Sequence, residues 1–153
     1  MGEQADRADF TIRTYRSRDR EAVLALWREA GLDRPPNQPE VDLASITGGD
    51  RATLFVGELG GRVAATTVAA EDGHRGWIYY VAVRPSLQAR GIGTRMVRHA
   101  EAHLAARGVP KMLLLIRHHN TAVQAFYQRL GYATEPCLTM GRWLTGSVEH
   151  QAE

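Results

Sequence analysis

Val83-Arg-Pro-Ser-Leu-Gln-Ala-Arg-Gly-Ile-Gly-Thr94 joins an apolar, strand-like run, Trp77 to Val83, to an amphipathic helical run, Ile92 to Arg107. The linker carries Gly91, Gly93 and basic side chains, and no acidic one. A strand that passes through such a loop into a helix makes an anion site, because the first N–H groups of the helix lack partners and its dipole favours negative charge. A phosphate or pyrophosphate is the natural guest. A Walker A loop needs Gly-Lys before Ser or Thr, and Gly93 is followed directly by Thr94. A dinucleotide fingerprint needs a third glycine where Met96 stands. Gln88-x-x-Gly91-x-Gly93, three residues after Pro85, is what remains. Taken alone, the loop reads rather as a glycine turn before an ordinary surface helix.

The 153 residues suit one domain, with 44% hydrophobic and 24% charged residues as in ordinary globular proteins. We expect a domain over 10–145, with residues 1–9 and 146–153 as flexible tails. No apolar run is long enough for a membrane span, and the polar start does not read as a signal peptide, so a cytoplasmic location is expected. The single Cys137 excludes an internal disulfide and a Cys-rich metal site; no metal is expected, and Cys137 reads as a small buried or edge-strand residue. A net charge of +2 argues against nucleic acid as a partner. Yet no Asp or Glu lies between Arg75 and Glu101, where Arg84, Arg90, Arg95 and Arg98 cluster around the loop. Such arginines would attract phosphates, although Arg98 fits a solvated helix face.

Phe10 to Tyr15 alternates as a first strand. Asp19 or Ser17 can cap a helix bearing Val23, Leu26, Trp27 and Ala30, stopped at Gly31. Pro35, Pro36 and Pro39 mark a loop, followed by a short helix through Val41, Leu43 and Ile46. Thr53 to Leu59 and Arg62 to Ala70 flank Gly60-Gly61, a two-residue hairpin signal. Trp77 to Val83 is the next strand. After the loop, Ile92, Met96, Ala100 and Leu104 trace a helical stripe ended by Gly108 and Pro110. Met112 to Ile116 reads as a strand buried on both faces. Asn120 can cap a last helix carrying Val123, Phe126, Tyr127 and Leu130, ended by Gly131. Tyr132 to Thr134 and Leu138 to Leu144 suggest a closing hairpin, whose exposed edge would suit a homodimer. The order β-α-α-β-β-β-α-β-α-β-β implies an α/β fold, a mixed and mostly antiparallel sheet with helices on both faces.

A second loaded stretch, Asn120-Thr-Ala-Val-Gln-Ala-Phe126-Tyr127-Gln-Arg-Leu130-Gly131-Tyr132, follows the loop at a distance. Val83-x-Pro85 with Gln88-x-x-Gly91-x-Gly93 resembles the acetyl-CoA loop of the GNAT superfamily of N-acetyltransferases. The Asn120 stretch is similar to that superfamily's second signature, so the resemblance covers Trp77 to Tyr132. His74-Arg75-Gly76 before Tyr79-Tyr80, with the Arg34-Pro35-x-Asn37-x-Pro39 loop, is similar to a group of short bacterial members.

The resemblance implies acetyl transfer from acetyl-CoA, as cosubstrate, to a primary amine of a small molecule or a protein, by direct attack in a ternary complex. It implies that the parallel strands splay after Val83, that pantetheine pairs near Val81, Ala82 and Val83, and that the amide of Ala82 or Val83 faces the oxyanion. Gln88 would lie at the cofactor, and the backbone N–H groups of Ala89, Arg90, Gly91, Ile92, Gly93 and Thr94 would wrap the pyrophosphate, with positive φ at Gly91 and Gly93. Asn120 would touch the cofactor or fix the turn as a plain N-cap, and Phe126 and Tyr127 would lie at the cofactor. Tyr127 reads by itself as a core aromatic; the resemblance makes it the acid that protonates the leaving thiolate, since a phenol near pKa 10 lies close to a thiol near 8.5.

Two positions that hold a basic Glu in relatives are Trp77 and Leu115 here. Glu71, Asp72, His74, Tyr79, Tyr80, His118 and His119 are the alternative bases, and an amine of low pKa would need none. Asp33, Glu40 and Asp42 would attract a cationic acceptor, whereas Arg34 would hold a carboxylate. A non-catalytic acyl-CoA-binding or sensing module, and an acyl donor other than acetyl, remain open.

Overall fold

The computed structural model describes residues 9–145; the tails expected at 1–9 and 146–153 fall, Asp9 apart, outside them. The elements are β1 (Phe10–Thr14), α1 (Arg20–Glu29), α2 (Pro39–Gly48), β2 (Ala52–Leu59), β3 (Arg62–Glu71), β4 (Gly76–Val83), α3 (Ile92–Ala106), β5 (Met112–Leu113) and α4 (Thr121–Arg129), with short 3₁₀ turns at Ser17–Asp19 and Pro85–Leu87. Packing divides the chain after Leu115 into two compact units.

In the first unit the strands lie in the order β1-β2-β3-β4-β5. Every neighbouring pair is antiparallel except β4 with β5, as expected for a βαβ step around α3. The β2–β3 hairpin turns on Gly60 and Gly61, with φ of +56° and +77°, the left-handed pair a two-residue turn requires. β3 is central and buried from Val63 through Ala69. Successive strand residues point to opposite faces, so that run needs cover on both sides. On one face, Trp27 of α1 donates Nε1–H to Thr66 Oγ1 at 2.9 Å. On the other, Phe55, paired across the strands with Thr67, meets the rings of His99 and His103 of α3 at 4.5 and 5.0 Å. Burial holds both of these histidines below the ordinary imidazole range.

Gly57 sits where the β2–β3 register slips and beneath α3. A Cβ there would meet Phe10 Cζ at 2.6 Å and Met96 Sδ at 2.9 Å. Gly57→Ala should therefore destabilise the fold by about 1–3 kcal/mol, the range for overpacking a filled core. A thermal melt checks it, with a fall of about 2–4 °C expected per kcal/mol.

Asp19 does something other than cap α1, since no side-chain cap bond forms there. Its buried carboxylate accepts from the Arg16 N–H at 2.8 Å and from Arg13 Nη1 and Nη2 at 2.7 and 2.9 Å. Arg13 in turn reaches Glu58 of β2 through Nε at 2.9 Å and Nη2 at 2.7 Å. One guanidinium thus ties β1 and β2 to the entry of α1.

Three expectations for the C-terminal part are corrected. β5 is two residues long and half-buried, not a strand of Met112 to Ile116 buried on both faces. No strand forms at Tyr132 to Thr134 or Leu138 to Leu144 among the described residues. Pro136 lacks an N–H for a ladder, and Leu138, Met140 and Leu144 are 92%, 91% and 88% exposed, so the alternating pattern has no buried face to specify a register. Cys137 is exposed outside any strand, and the edge argued for a homodimer is absent. In the second unit α4 forms as expected: Asn120 Oδ1 accepts from the Val123 N–H at 3.3 Å, and Gly131, with φ of +95°, ends it. No helix of the described residues is long and apolar enough to cross a membrane.

Candidate active site

β4 and β5 pair only at Gly76 with Met112 and Trp77 with Leu113. From Ile78 to Val83 the side of β4 away from β3 meets no strand among the described residues. The splay thus begins after Trp77, not after Val83 as the resemblance implied. On its other side β4 slips register between Thr66 and Val68 of β3, with Tyr80 at a φ of +49°. A bulge of this kind re-aims the peptides that follow it, here those of Val81, Ala82 and Val83.

Beyond Val83 the loop is tied back to the strand. Leu87 N–H donates to Arg84 O at 2.8 Å and Gln88 Nε2 to Val83 O at 3.3 Å. Ala89 and Gly91 adopt left-handed backbone, with φ of +63° and +79°. Gly91 is the N-cap of α3, and no side chain caps that helix. Arg95 N–H makes the first bond of the ladder, to Gly91 O at 3.1 Å. The N–H groups of Gly91, Ile92, Gly93 and Thr94 come before it and have no acceptor within the helix. Positive φ was expected at Gly93 as well; that glycine lies inside the first helical turn, and the second left-handed residue is Ala89. A non-glycine residue in that conformation is strained, and it had no signal in the sequence.

Three of the arginines expected near phosphate make contacts within the protein. Arg95 donates Nη2–H to Phe10 O at 3.3 Å with its guanidinium 4.5 Å above the Phe10 ring. Arg98 pairs with Glu101 at 2.5 Å, as a solvated face would. Arg84 turns its guanidinium to the Val63 carbonyl. Arg90 is carried by the loop itself. A separate cleft of about 550 Å³ opens beside Arg13, Arg62 and Arg84, and none of Gln88 to Thr94 lines it.

Several candidate bases are otherwise engaged. Asp72 Oδ1 accepts from the N–H groups of His74 and Arg75 at 2.8 and 2.6 Å, and Oδ2 from Trp77 Nε1 at 3.0 Å. These donors, the Arg75 N–H foremost, hold the carboxyl at about 2. Glu71 is bound by Arg107, which lowers it too. Tyr80 donates its O–H to Asp42 Oδ2 at 2.6 Å, and burial together with that bond raises the phenol, making it a donor rather than a base. Burial also raises Tyr79.

In the second unit, Tyr127 is 7% exposed on α4, its ring 5.0 Å from that of Phe126 and 5.4 Å from that of Tyr132, both in edge contact. Burial first, and Tyr132 second, push its phenol well above the ordinary range. The group keeps its proton at neutral pH and is a weaker acid than a free tyrosine. Asn120 is engaged as the N-cap already described. His118 and His119 are exposed, their rings 5.9 Å apart.

The model of the acetyltransferase (GNAT) family matches residues 17–132. An acetyltransferase of Pectobacterium atrosepticum is 38% identical over 139 residues, spanning 91% of this chain and 99% of that protein. Among solved structures, an aminoglycoside N-acetyltransferase bound to a CoA bisubstrate analogue superposes with a TM-score of 0.75 at 17% identity, covering 89% of this chain and 99% of its own. The ribosomal-protein-S18-alanine N-acetyltransferase of Escherichia coli gives 0.70 at 25%, over 80% of this chain and 76% of that one. Glucosamine-6-phosphate N-acetyltransferase of Arabidopsis thaliana gives 0.68 at 19%, over 89% and 99%.

Proposed function

The chain belongs to the GNAT family of acetyltransferases, and from that premise we propose that it moves the acetyl group of acetyl-CoA to a primary amine by direct attack, with Tyr127 as the acid. The observation that carries the reading is the uncapped start of α3 behind the left-handed Ala89 and Gly91, in a chain matched to the family over residues 17–132. That terminus offers backbone donors and a positive dipole end to a pyrophosphate, so the residues present fit the cosubstrate.

Acetyl-CoA supplies an activated thioester. The peptides of Gln88 to Thr94 hold the pyrophosphate, and the freed side of β4 at Val81, Ala82 and Val83 pairs with the pantetheine arm. One of those N–H groups, from Ala82 or Val83, donates to the carbonyl oxygen as negative charge develops on it. Asn120 fixes the entry of α4, and Phe126 packs beside Tyr127. Tyr127 donates its O–H to the sulfur as the carbon–sulfur bond breaks, and recovers a proton from solvent, which receives the one released by the attacking amine. Glu71, Asp72 and Tyr80 are already engaged, so the acceptor amine enters deprotonated, without those groups as its base.

Acetyl-CoA at a hundredfold excess over its Kd should stabilise the chain by about 2.7 kcal/mol and raise Tm by roughly 6–10 °C. Saturating acetyl-CoA without a shift would remove the site. The acceptor is sought by CoA release over a panel comprising an aminoglycoside, glucosamine 6-phosphate, a peptide beginning with alanine and simple alkylamines. The first three are suggested by the acceptors in the names of the structural neighbours. A non-catalytic acyl-CoA-binding module is the second reading, favoured by Trp77 and Leu115 at the positions of the usual basic Glu. Acetyl-CoA binding without CoA release over that panel would select it.

A further inference from the structure

The strained turn of β4 is held by four residues that are distant in sequence. Tyr80 has a φ of +49°, costly for an aromatic side chain, yet its neighbours fix it from both ends. Its carbonyl accepts from Thr66 Oγ1–H at 2.8 Å. Thr66 Oγ1 accepts from Trp27 Nε1–H at 2.9 Å. The Trp27 and Tyr80 rings stack with centroids 3.9 Å apart and planes 20° from parallel. The Tyr80 O–H donates to Asp42 Oδ2 at 2.6 Å, and the Gln38 N–H donates to the same oxygen at 3.1 Å. Trp27 and Thr66 are fully buried.

Ordinary sheet pairing would need none of this. A tyrosine in a regular strand would keep negative φ, and its carbonyl would bond along the ladder. Here the register slip between Thr66 and Val68 takes Tyr80 out of the β3 ladder, and a threonine hydroxyl takes over its carbonyl. The slip spans Tyr80 and Val81 and lies directly before Ala82 and Val83, on the stretch of β4 that has left β5. Orientation of those peptides depends on the dihedral angles of Tyr80.

We infer that Trp27, Thr66, Tyr80 and Asp42 form a latch whose hydrogen bonds set the direction of the β4 peptides toward the thioester carbonyl, and that Thr66, Tyr80 and Asp42 are positioning residues for acetyl transfer. The inference rests on the acetyl-transfer reading above. Asp42 lies at the start of α2, directly after the Pro-rich loop, so the latch also ties that segment to the strand carrying the thioester.

Tyr80→Phe removes one O–H and keeps the stacked ring; Thr66→Val removes Oγ1 at constant shape; Thr66→Ser keeps it. With the full chain and the panel amine that gives the fastest CoA release, Tyr80→Phe and Thr66→Val should each lower kcat about 10- to 100-fold, up to the loss that a misplacement of about 1 Å brings. The cradle at the start of α3 does not depend on the latch, so acetyl-CoA should still raise Tm and its KM should rise less than kcat falls, and Thr66→Ser should keep wild-type kcat. Either deletion at full kcat beside an active wild type overturns the latch alone. So does loss of kcat together with loss of the acetyl-CoA shift, as a general packing defect would give. A wild-type chain that releases no CoA over any amine overturns the acetyl-transfer reading and the latch with it.

Discussion

Tyr127→Phe is expected to lower kcat by about 100- to 10,000-fold, the range for a positioned general acid, while acetyl-CoA still raises Tm as in the wild type. The ring is 7% exposed and packed edge-on against Phe126 and Tyr132, contacts that phenylalanine preserves, so the variant isolates the proton. The pH dependence separates this role from a packing role. A free tyrosine loses its proton near pH 10. Burial raises Tyr127, so the donor stays protonated beyond that point, and the alkaline loss of kcat attributable to it is displaced upward. Steady-state rates from pH 7 to 10.5 check this, and wild-type kcat in Tyr127→Phe would take the acid role from Tyr127.

Arg13→Ala should cost about 3 kcal/mol of stability, at the lower end of what breaking a buried pair costs, and lower Tm by about 6–12 °C. The loss comes less from the missing attraction than from what is left behind: Asp19, 5% exposed, would keep only the Arg16 N–H among its hydrogen-bond donors, and Glu58 would lose its ion-pair partner. The acid limb gives the sign. Arg13 is the main cause of the lowered Asp19 carboxyl in the folded chain. A depressed pKa contributes stability that is fully present above the unfolded value near 3.9 and is lost as pH falls through the folded one. In Arg13→Ala the buried carboxylate has lost that support and protonation relieves it, so the gap between variant and wild type should narrow as pH falls below about 4. Urea unfolding at pH 7 and pH 3.5 measures it; a gap that widens on acidification would place the stabilisation elsewhere.

The parts of the fold read correctly from sequence were those fixed by local chemistry. Gly60-Gly61 specified the β2–β3 hairpin because only left-handed backbone closes a two-residue turn, and Asn120 and Gly131 bounded α4 through its caps. The uncapped start of α3 behind Gly91 was legible for the same reason, since a helix start after a left-handed glycine is a local arrangement. Contacts that cross the chain were not legible. The pairing of Arg13 with Asp19 and Glu58, and the chain of bonds from Trp27 through Thr66 and Tyr80 to Asp42, join residues whose spacing carries no period. Leu138 to Leu144 failed in the opposite way: the alternation was present, but a strand exists only where another edge pairs with it. The bulge at Tyr80 left no mark either, because tyrosine is an unusual residue for positive φ and only tertiary bonds hold it there.

Amine-dependent release of CoA tests the central claim most directly, with the thiol quantified against the acetylated amine by mass spectrometry over the acceptor panel. The account predicts one acetyl group on the amine for each CoA released, at a rate that collapses in Tyr127→Phe and not in Thr66→Ser. Saturable acetyl-CoA binding with no CoA released above the amine-free background, for any acceptor, would contradict it and leave a binding module on the same fold.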